Sequence, residues 1–90
     1  MAKAIITLKV MPETIDVDLK ELEEKAAEVI TKEGGEIGKI EHEPIAFGLQ
    51  AIKLIFVIDE EKGTENIENN VSSIEGVQSA QVVDYRRALG

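Results

Sequence analysis

The sequence has 90 residues, with 18 Asp or Glu, 10 Lys or Arg and a formal net charge of −8 at pH 7. This length predicts a single domain over residues 1–90, and the lack of cysteine excludes disulfides, thiolate metal sites and cysteine nucleophiles. The excess of acidic residues argues against nucleic-acid binding, which draws on Lys and Arg. No apolar run reaches the ~18 residues of a membrane span, so we expect a soluble cytoplasmic domain.

The first part of the chain predicts a strand followed by a helix. Residues 2–11 carry apolar side chains at every second position, which is typical of a strand, and the next residue is a proline that ends the ladder. Asp16 or Asp18 can cap a helix that begins at Leu19 and carries one apolar stripe. A pair of glycines at 34–35 is expected to end this helix.

The middle of the chain predicts two strands joined by an irregular connector. Residues 36–43 form the weaker strand prediction, with Gly38 marking a bulge, and the connector covers residues 44–48. Residues 49–59 strongly predict a strand with apolar side chains on both faces. Such a pattern is expected of a central strand that is covered on both sides.

The last part of the chain completes the fold prediction. Thr64 can cap a second helix that Gly76 ends, and residues 77–85 supply a final strand. The resulting order is β-α-β-β-α-β. Right-handed crossovers would place both helices on one face of a four-stranded antiparallel sheet, which is the ferredoxin-like α+β arrangement. Since this fold supports many functions, it does not identify one by itself.

Motifs for nucleotide binding, metal binding and hydrolysis are incomplete in this sequence. The glycine-containing segment 34–40 lacks both the spacing and the Ser or Thr of a phosphate-binding loop. His42 lies between two glutamates that a strand would direct to the opposite face, so it does not predict a metal site. The few serines lack a nucleophile elbow. We therefore expect no enzymatic chemistry, no cofactor and no metal.

Two segments carry residues that a protein partner could bind. Phe47 precedes Gly48 on the connector, where an aromatic ring either folds back over the sheet edge or serves as a hydrophobic anchor. Residues 82–90 contain both arginines of the chain, Arg86 and Arg87. This pair is either part of a solubilising, frayed terminus or a source of positive charge for an anionic pocket on another protein.

Four motifs in the sequence resemble those of archaeal translation elongation factor 1-beta. They are Val-Met-Pro-Glu at 10–13, Pro-Ile-Ala-Phe-Gly-Leu-Gln-Ala-Ile at 44–52, Phe-Val-Ile-Asp-Glu at 56–60 and Ile-Glu-Gly-Val-Gln-Ser at 74–79. The resemblance spans essentially the whole chain and extends to the C-terminal catalytic domain of the eukaryotic factor. It implies a ferredoxin-like fold and guanine-nucleotide exchange on elongation factor 1-alpha, the GTPase that delivers aminoacyl-tRNA.

The resemblance also implies roles for individual residues. In this family the aromatic residue of the loop contacts the GTPase, which implies that role for Phe47. A C-terminal basic residue enters the region where the GTPase holds magnesium, which implies Arg87, with its neighbour Arg86 as the alternative. Eukaryotic members use lysine there, and an ammonium differs from a guanidinium in shape and hydration. The other residues expected at the partner are Ile45, Gly48 and Tyr85.

Two other functions are compatible with the predicted fold. An RNA-recognition module needs stacking aromatics on adjacent strands and a basic surface, whereas this sequence has 3% aromatic residues and is acidic. A small-molecule regulatory module that dimerises through its sheet edges is the second alternative. We expect instead an exchange factor that is monomeric when free and that binds elongation factor 1-alpha, without direct contact with nucleic acid or membranes.

Overall fold

The computed structural model describes residues 2–88 and contains four strands and two helices. In chain order the elements are β1 (Lys3–Pro12), α1 (Leu19–Lys32), β2 (Glu36–Pro44), β3 (Gln50–Asp59), α2 (Glu65–Ser72) and β4 (Val77–Ala88). The strands form an antiparallel sheet in the order β2-β3-β1-β4, which is the predicted ferredoxin-like arrangement. Neither helix in the described part of the chain is long and apolar enough to cross a membrane.

The core lies between the helices and one face of the sheet. Alternate side chains of the two central strands are buried there, and the register sets Ile6 opposite Phe56 and Leu8 opposite Leu54. The helices contribute the buried side chains of Leu22, Ala26, Ile30, Ile67 and Val71. Since burying one large aliphatic or aromatic side chain stabilises a fold by about 1.5–3 kcal/mol, this face dominates the stability of the domain.

Helix α1 begins after an aspartate cap and ends before a pair of glycines, as the sequence predicts. The carboxylate of Asp18 accepts hydrogen bonds of 3.0 and 3.3 Å from two N–H groups of the first turn, so Asp18 rather than Asp16 is the cap. After the helix, Gly34 has a φ of 94°, a left-handed conformation that favours glycine. A β-carbon on Gly35 would lie only 2.6 Å from Cγ2 of Ile30, so this position has no room for a side chain.

Helix α2 is shorter than the sequence predicts. Thr64 is the N-cap residue, as expected, but its side chain makes no capping hydrogen bond. The helix ends at Ser72, before Gly76, because the N–H of Ile74 bonds to the carbonyl of Val71 at 3.1 Å. This hydrogen bond spans three residues instead of the four of an α-helix, so the chain leaves the α-helical conformation here.

The strand pair β2–β3 follows the predicted pattern with one difference. The register shifts between Ile37 and Lys39, which confirms the bulge at Gly38. Pro44 pairs with Gln50 and therefore belongs to β2, so the connector is shorter than predicted.

The sheet face opposite the helices, which we call the open face, includes Ile5, Thr7, Ile55 and Val57. No helix of the described residues packs on it, so the expectation that the central strands are covered on both sides is wrong. Ile55 and Val57 are nevertheless half-buried, because β1 sets Thr7 and Ile5 directly opposite them. Cross-strand contacts of this kind shield apolar side chains without a covering layer.

Strand β4 continues beyond its predicted end. Arg86 pairs with Ile5 and Arg87 pairs with Ala4, so both arginines lie on a strand that is hydrogen-bonded to β1. The alternative of a frayed terminus is therefore wrong for the residues up to Ala88, which are paired with β1. The last two residues of the candidate segment 82–90 lie outside the described residues.

Candidate functional site

The connection between β2 and β3 is a tight turn that presents Phe47 to solvent. The N–H of Leu49 donates to the carbonyl of Ala46 at 3.1 Å, and Phe47 and Gly48 have φ values of 60° and 80°. Two consecutive positive φ values are typical of a type I′ turn, which favours Asn-Gly at these positions. A left-handed conformation costs a non-glycine residue about 1–2 kcal/mol. Phe47 gains no burial in return, since it is 95% exposed, so the ring does not fold back over the sheet edge.

Two isoleucines extend the exposed apolar surface around this turn. Ile45 is 41% exposed, and its N–H donates to the carbonyl of Leu49 at 2.8 Å. Ile15, in the loop between β1 and α1, is 65% exposed. A β-carbon on Gly48 would lie 3.6 Å from Cγ2 of Ile15, which places this side chain against the turn. We call Ile15, Ile45 and Phe47 the apolar tip.

The sequence interpretation missed Ile15. This residue lies outside the apolar periodicity of any strand or helix, so no pattern assigns it to the core. Its one sequence signal is an apolar side chain between the polar residues Thr14 and Asp16. The N–H of Asp16 donates to Oγ1 of Thr14 at 3.2 Å, and this short-range bond holds Ile15 in a turn.

At the other candidate site, a β-bulge decides which face each arginine occupies. The register of β4 against β1 shifts at Val83. Beyond the bulge, Tyr85 and Arg87 lie opposite buried residues of β1 and therefore on the face that carries the helices. Arg86 lies opposite Ile5 on the open face. A regular strand without the extra residue would exchange the two arginines between faces.

The bulge itself is bonded to helix α2. The N–H of Val82 donates to the carboxylate of Glu68 at 3.0 Å. A bulge disturbs the ladder and leaves an amide in need of another acceptor, and this side chain provides one. The helix therefore supports the strand at the point where the faces of Arg86 and Arg87 are set.

Arg87 forms a two-point ion pair with Glu60. Nε of Arg87 lies 2.8 Å from one carboxylate oxygen, and Nη2 lies 3.1 Å from the other. The Glu60 side chain is 23% exposed and the Arg87 side chain 65%, so the cation is the outer member of the pair. Hydrogen bonding to Glu60, followed by its charge, raises the pKa of Arg87 above its usual value. Arg86 makes one bond of 3.1 Å to its exposed neighbour Asp84.

The two candidate sites lie at opposite ends of the sheet. Strand β3 has 10 residues, begins just after the apolar tip and ends just before Glu60. At ~3.3 Å per residue the strand separates the two sites by roughly 30 Å. The structure thus brings one predicted group together at the turn, Phe47 with Ile45 and Gly48, and another on β4, Arg87 with Tyr85. It does not bring the two groups to one place.

The sequence predicts that Glu41 and Glu43 lie on the face of β2 opposite His42, and this prediction is confirmed. His42 contacts Glu23 of α1, whereas Glu41 and Glu43 form ion pairs with lysines. Among residues 2–88, no group of three or more His, Asp or Glu side chains could hold a metal ion.

Comparison with known proteins identifies the family of the chain. Residues 5–88 match the family described as the EF-1 guanine nucleotide exchange domain. Elongation factor 1-beta from Methanothermobacter thermautotrophicus is 48% identical over 90 residues, covering 99% of this chain and 100% of that protein. Elongation factor 1-beta from Staphylothermus marinus is 48% identical over 89 residues (97% and 98%), and that from Methanosarcina barkeri is 43% identical over 88 residues (97% and 99%). The chain therefore belongs to the EF-1 guanine nucleotide exchange domain family.

Proposed function

We propose that this protein binds elongation factor 1-alpha and accelerates the release of GDP, so that the GTPase can be reloaded with GTP during aminoacyl-tRNA delivery. Membership of the exchange-domain family supports this role. The structural observation that carries the proposal is the placement of an exposed apolar anchor and an outward-facing cation at the two ends of one sheet.

The apolar tip provides affinity for the GTPase. Aromatic residues that fill a pocket on a partner are frequent hot spots, and their truncation typically weakens binding by about 2 kcal/mol or more. Phe47 is held in place by the hydrogen bonds of its turn, so little backbone freedom is lost on binding. Ile15 and Ile45 widen the apolar surface that the pocket would cover.

Arg87 provides the charge that disturbs nucleotide binding. In GTPases a phosphate-binding loop and a magnesium ion hold the phosphates. A guanidinium entering that region competes with the metal for the same anionic ligands and displaces the loops that carry them. Each ~1.4 kcal/mol removed from nucleotide affinity raises its dissociation constant tenfold. We assign this role to Arg87 rather than Arg86 because its bidentate pair fixes the guanidinium more firmly than a single exposed bond does.

This mechanism requires no covalent step. Binding of this protein and binding of GDP oppose each other on the GTPase. The protein lowers the affinity of the GTPase for GDP by the same factor by which GDP lowers the affinity of the GTPase for the protein. Contacts at the apolar tip keep the complex together while the nucleotide leaves. The protein accelerates the release of either nucleotide, so the direction of exchange comes from the excess of GTP over GDP.

A pair of binding titrations tests this proposal. Purified elongation factor 1-alpha is titrated with the protein, once without nucleotide and once in excess Mg²⁺ and GDP. We expect binding to the nucleotide-free GTPase to be at least about tenfold tighter, within the usual range of coupling between two ligands. Equal affinity in the two titrations, or no binding in either, would overturn the proposal.

A further inference from the structure

The ion pair at the end of β4 uses only one edge of the Arg87 guanidinium. An arginine side chain carries five N–H donors, arranged as one fork along the Nε–Nη2 edge and a second fork at the Nη1–Nη2 end. Glu60 occupies Nε and Nη2. The end fork is left with donors for a second carboxylate or a phosphate, in the planar geometry that such anions favour.

Glu60 is itself attached firmly to the sheet. It directly follows β3, and its backbone N–H donates to the carbonyl of Ala2 at 3.2 Å. Its side chain is largely covered, whereas the guanidinium it holds projects outward. The flexible arginine side chain is thus fixed at the end of a rigid strand, which reduces the entropy lost when a partner binds it.

We propose that Glu60 is a positioning residue for nucleotide exchange, which holds Arg87 by its side edge and directs its end fork toward an anionic group of the GTPase. This inference rests on the proposed function. A shielding role for Glu60 makes the opposite prediction, since an acid that neutralises Arg87 would slow exchange and its removal would accelerate it. The sign of the effect therefore separates the two roles.

The test measures release of a fluorescent GDP analogue from elongation factor 1-alpha over a range of protein concentrations. We expect Glu60→Gln to lower the maximal rate about three- to tenfold, because a misdirected guanidinium loses catalytic contacts while the apolar tip still binds. The concentration giving half of that rate should stay within about twofold. Glu61→Gln is the matched control, since this neighbouring glutamate is exposed, and it should leave both quantities unchanged.

A second comparison shows whether Glu60 acts through Arg87. If it does, Glu60→Gln has no further effect on the rate in an Arg87→Ala background, because residues that act as a unit are not additive. An equal loss in both backgrounds would overturn the inference, and so would an unchanged or faster rate for Glu60→Gln alone.

NMR gives a readout that does not depend on exchange activity. Hydrogen exchange of the Arg87 Nε–H with water should be slow in the unaltered protein and in Glu61→Gln, and faster in Glu60→Gln. Unchanged protection in Glu60→Gln would overturn the inference. If the unaltered protein accelerates no GDP release, both proposals fail. If Arg87→Ala is slow and Glu60→Gln is not, only the role of Glu60 fails.

Discussion

Phe47 occupies a conformation that favours a different residue. The turn chemistry calls for Asn-Gly, and the chain has Phe-Gly with the aromatic ring in solvent. Local preferences of this kind are usually satisfied in folded proteins, and departures from them occur mainly at functional sites. The strained turn therefore supports a role for Phe47 outside the fold itself.

Replacing Phe47 should change stability and binding in opposite directions. Asn tolerates the left-handed conformation, so Phe47→Asn should raise the free energy of unfolding by about 1 kcal/mol, or the melting temperature by roughly 4–8 °C. The same variant loses the aromatic anchor and should weaken binding to elongation factor 1-alpha by about 2 kcal/mol, roughly 30-fold. Thermal denaturation and the binding titration measure the two effects.

Phe47→Ala is the control for this pair of effects. It removes the ring but keeps a β-carbon in the left-handed region, so it should weaken binding similarly without the gain in stability. A lower melting temperature for Phe47→Asn than for the unaltered protein would show that the ring stabilises the turn and would contradict this assignment.

At the scale of elements, Glu43 links β2 to both central strands. Its carboxylate oxygens lie 2.6 Å from Nζ of Lys53 and 3.3 Å from Nζ of Lys9. The hydrogen bond from Lys53 makes the largest contribution, followed by that from Lys9, and together they lower the pKa of Glu43 from its usual 4.5. The lowered pKa means that the folded state favours the charged carboxylate.

This shift predicts how stability depends on pH. Glu43 is charged in both the folded and the unfolded chain above its ordinary pKa of 4.5, so its stabilising effect is complete there. The effect is lost as the pH falls through the lowered folded-state pKa. Glu43→Gln should therefore melt at a lower temperature than the unaltered protein at pH 7, and the difference should disappear in acid.

An exposed glutamate on the same strand provides the control. Glu36→Gln should show no such pH-dependent difference, since the side chain is exposed at the start of β2. A Glu43→Gln difference that persists at acid pH would mean that the ion pairs with Lys9 and Lys53 are not its cause.

Most elements could be predicted because their boundaries depend on local sequence. The alternation of apolar residues identified β1 and β3, and the glycine pair at 34–35 identified the end of α1. The sequence offered either Asp16 or Asp18 as its cap, and the hydrogen bonds of the first turn select Asp18.

The end of β4 could not be predicted in this way, because Arg86 and Arg87 show no apolar alternation and lie in a strand through pairing with β1. The resemblance implied that Arg87 enters the magnesium region of the GTPase, with Arg86 as the alternative. Alternation along the strand places the two arginines on opposite faces, and the bulge at Val83, a tertiary feature, decides which face each one takes.

At the scale of the whole molecule, the separation of the two sites constrains the partner. The apolar tip and Arg87 are roughly 30 Å apart along the sheet. A GTPase that receives both must offer an apolar pocket and an anionic nucleotide site at a similar separation. The rigid hydrogen-bonded sheet between them would couple docking at one end to insertion of charge at the other.

The charge of the molecule is consistent with a protein partner. A net charge of −8 repels nucleic-acid phosphates, so the acidic surface would keep the protein away from tRNA and ribosomal RNA. Arg87 departs from this acidic pattern, because its positive side chain projects outward at one end of the molecule.

The most direct test of the account is stopped-flow release of a fluorescent GDP analogue from elongation factor 1-alpha as the concentration of this protein is raised. The account predicts a release rate that increases and then saturates. It also predicts that Arg87→Ala loses at least about tenfold in the saturated rate at a nearly unchanged half-saturating concentration, and that Arg86→Ala loses less. A rate that stays at its intrinsic value at every concentration, or an Arg87→Ala variant as fast as the unaltered protein, would contradict it.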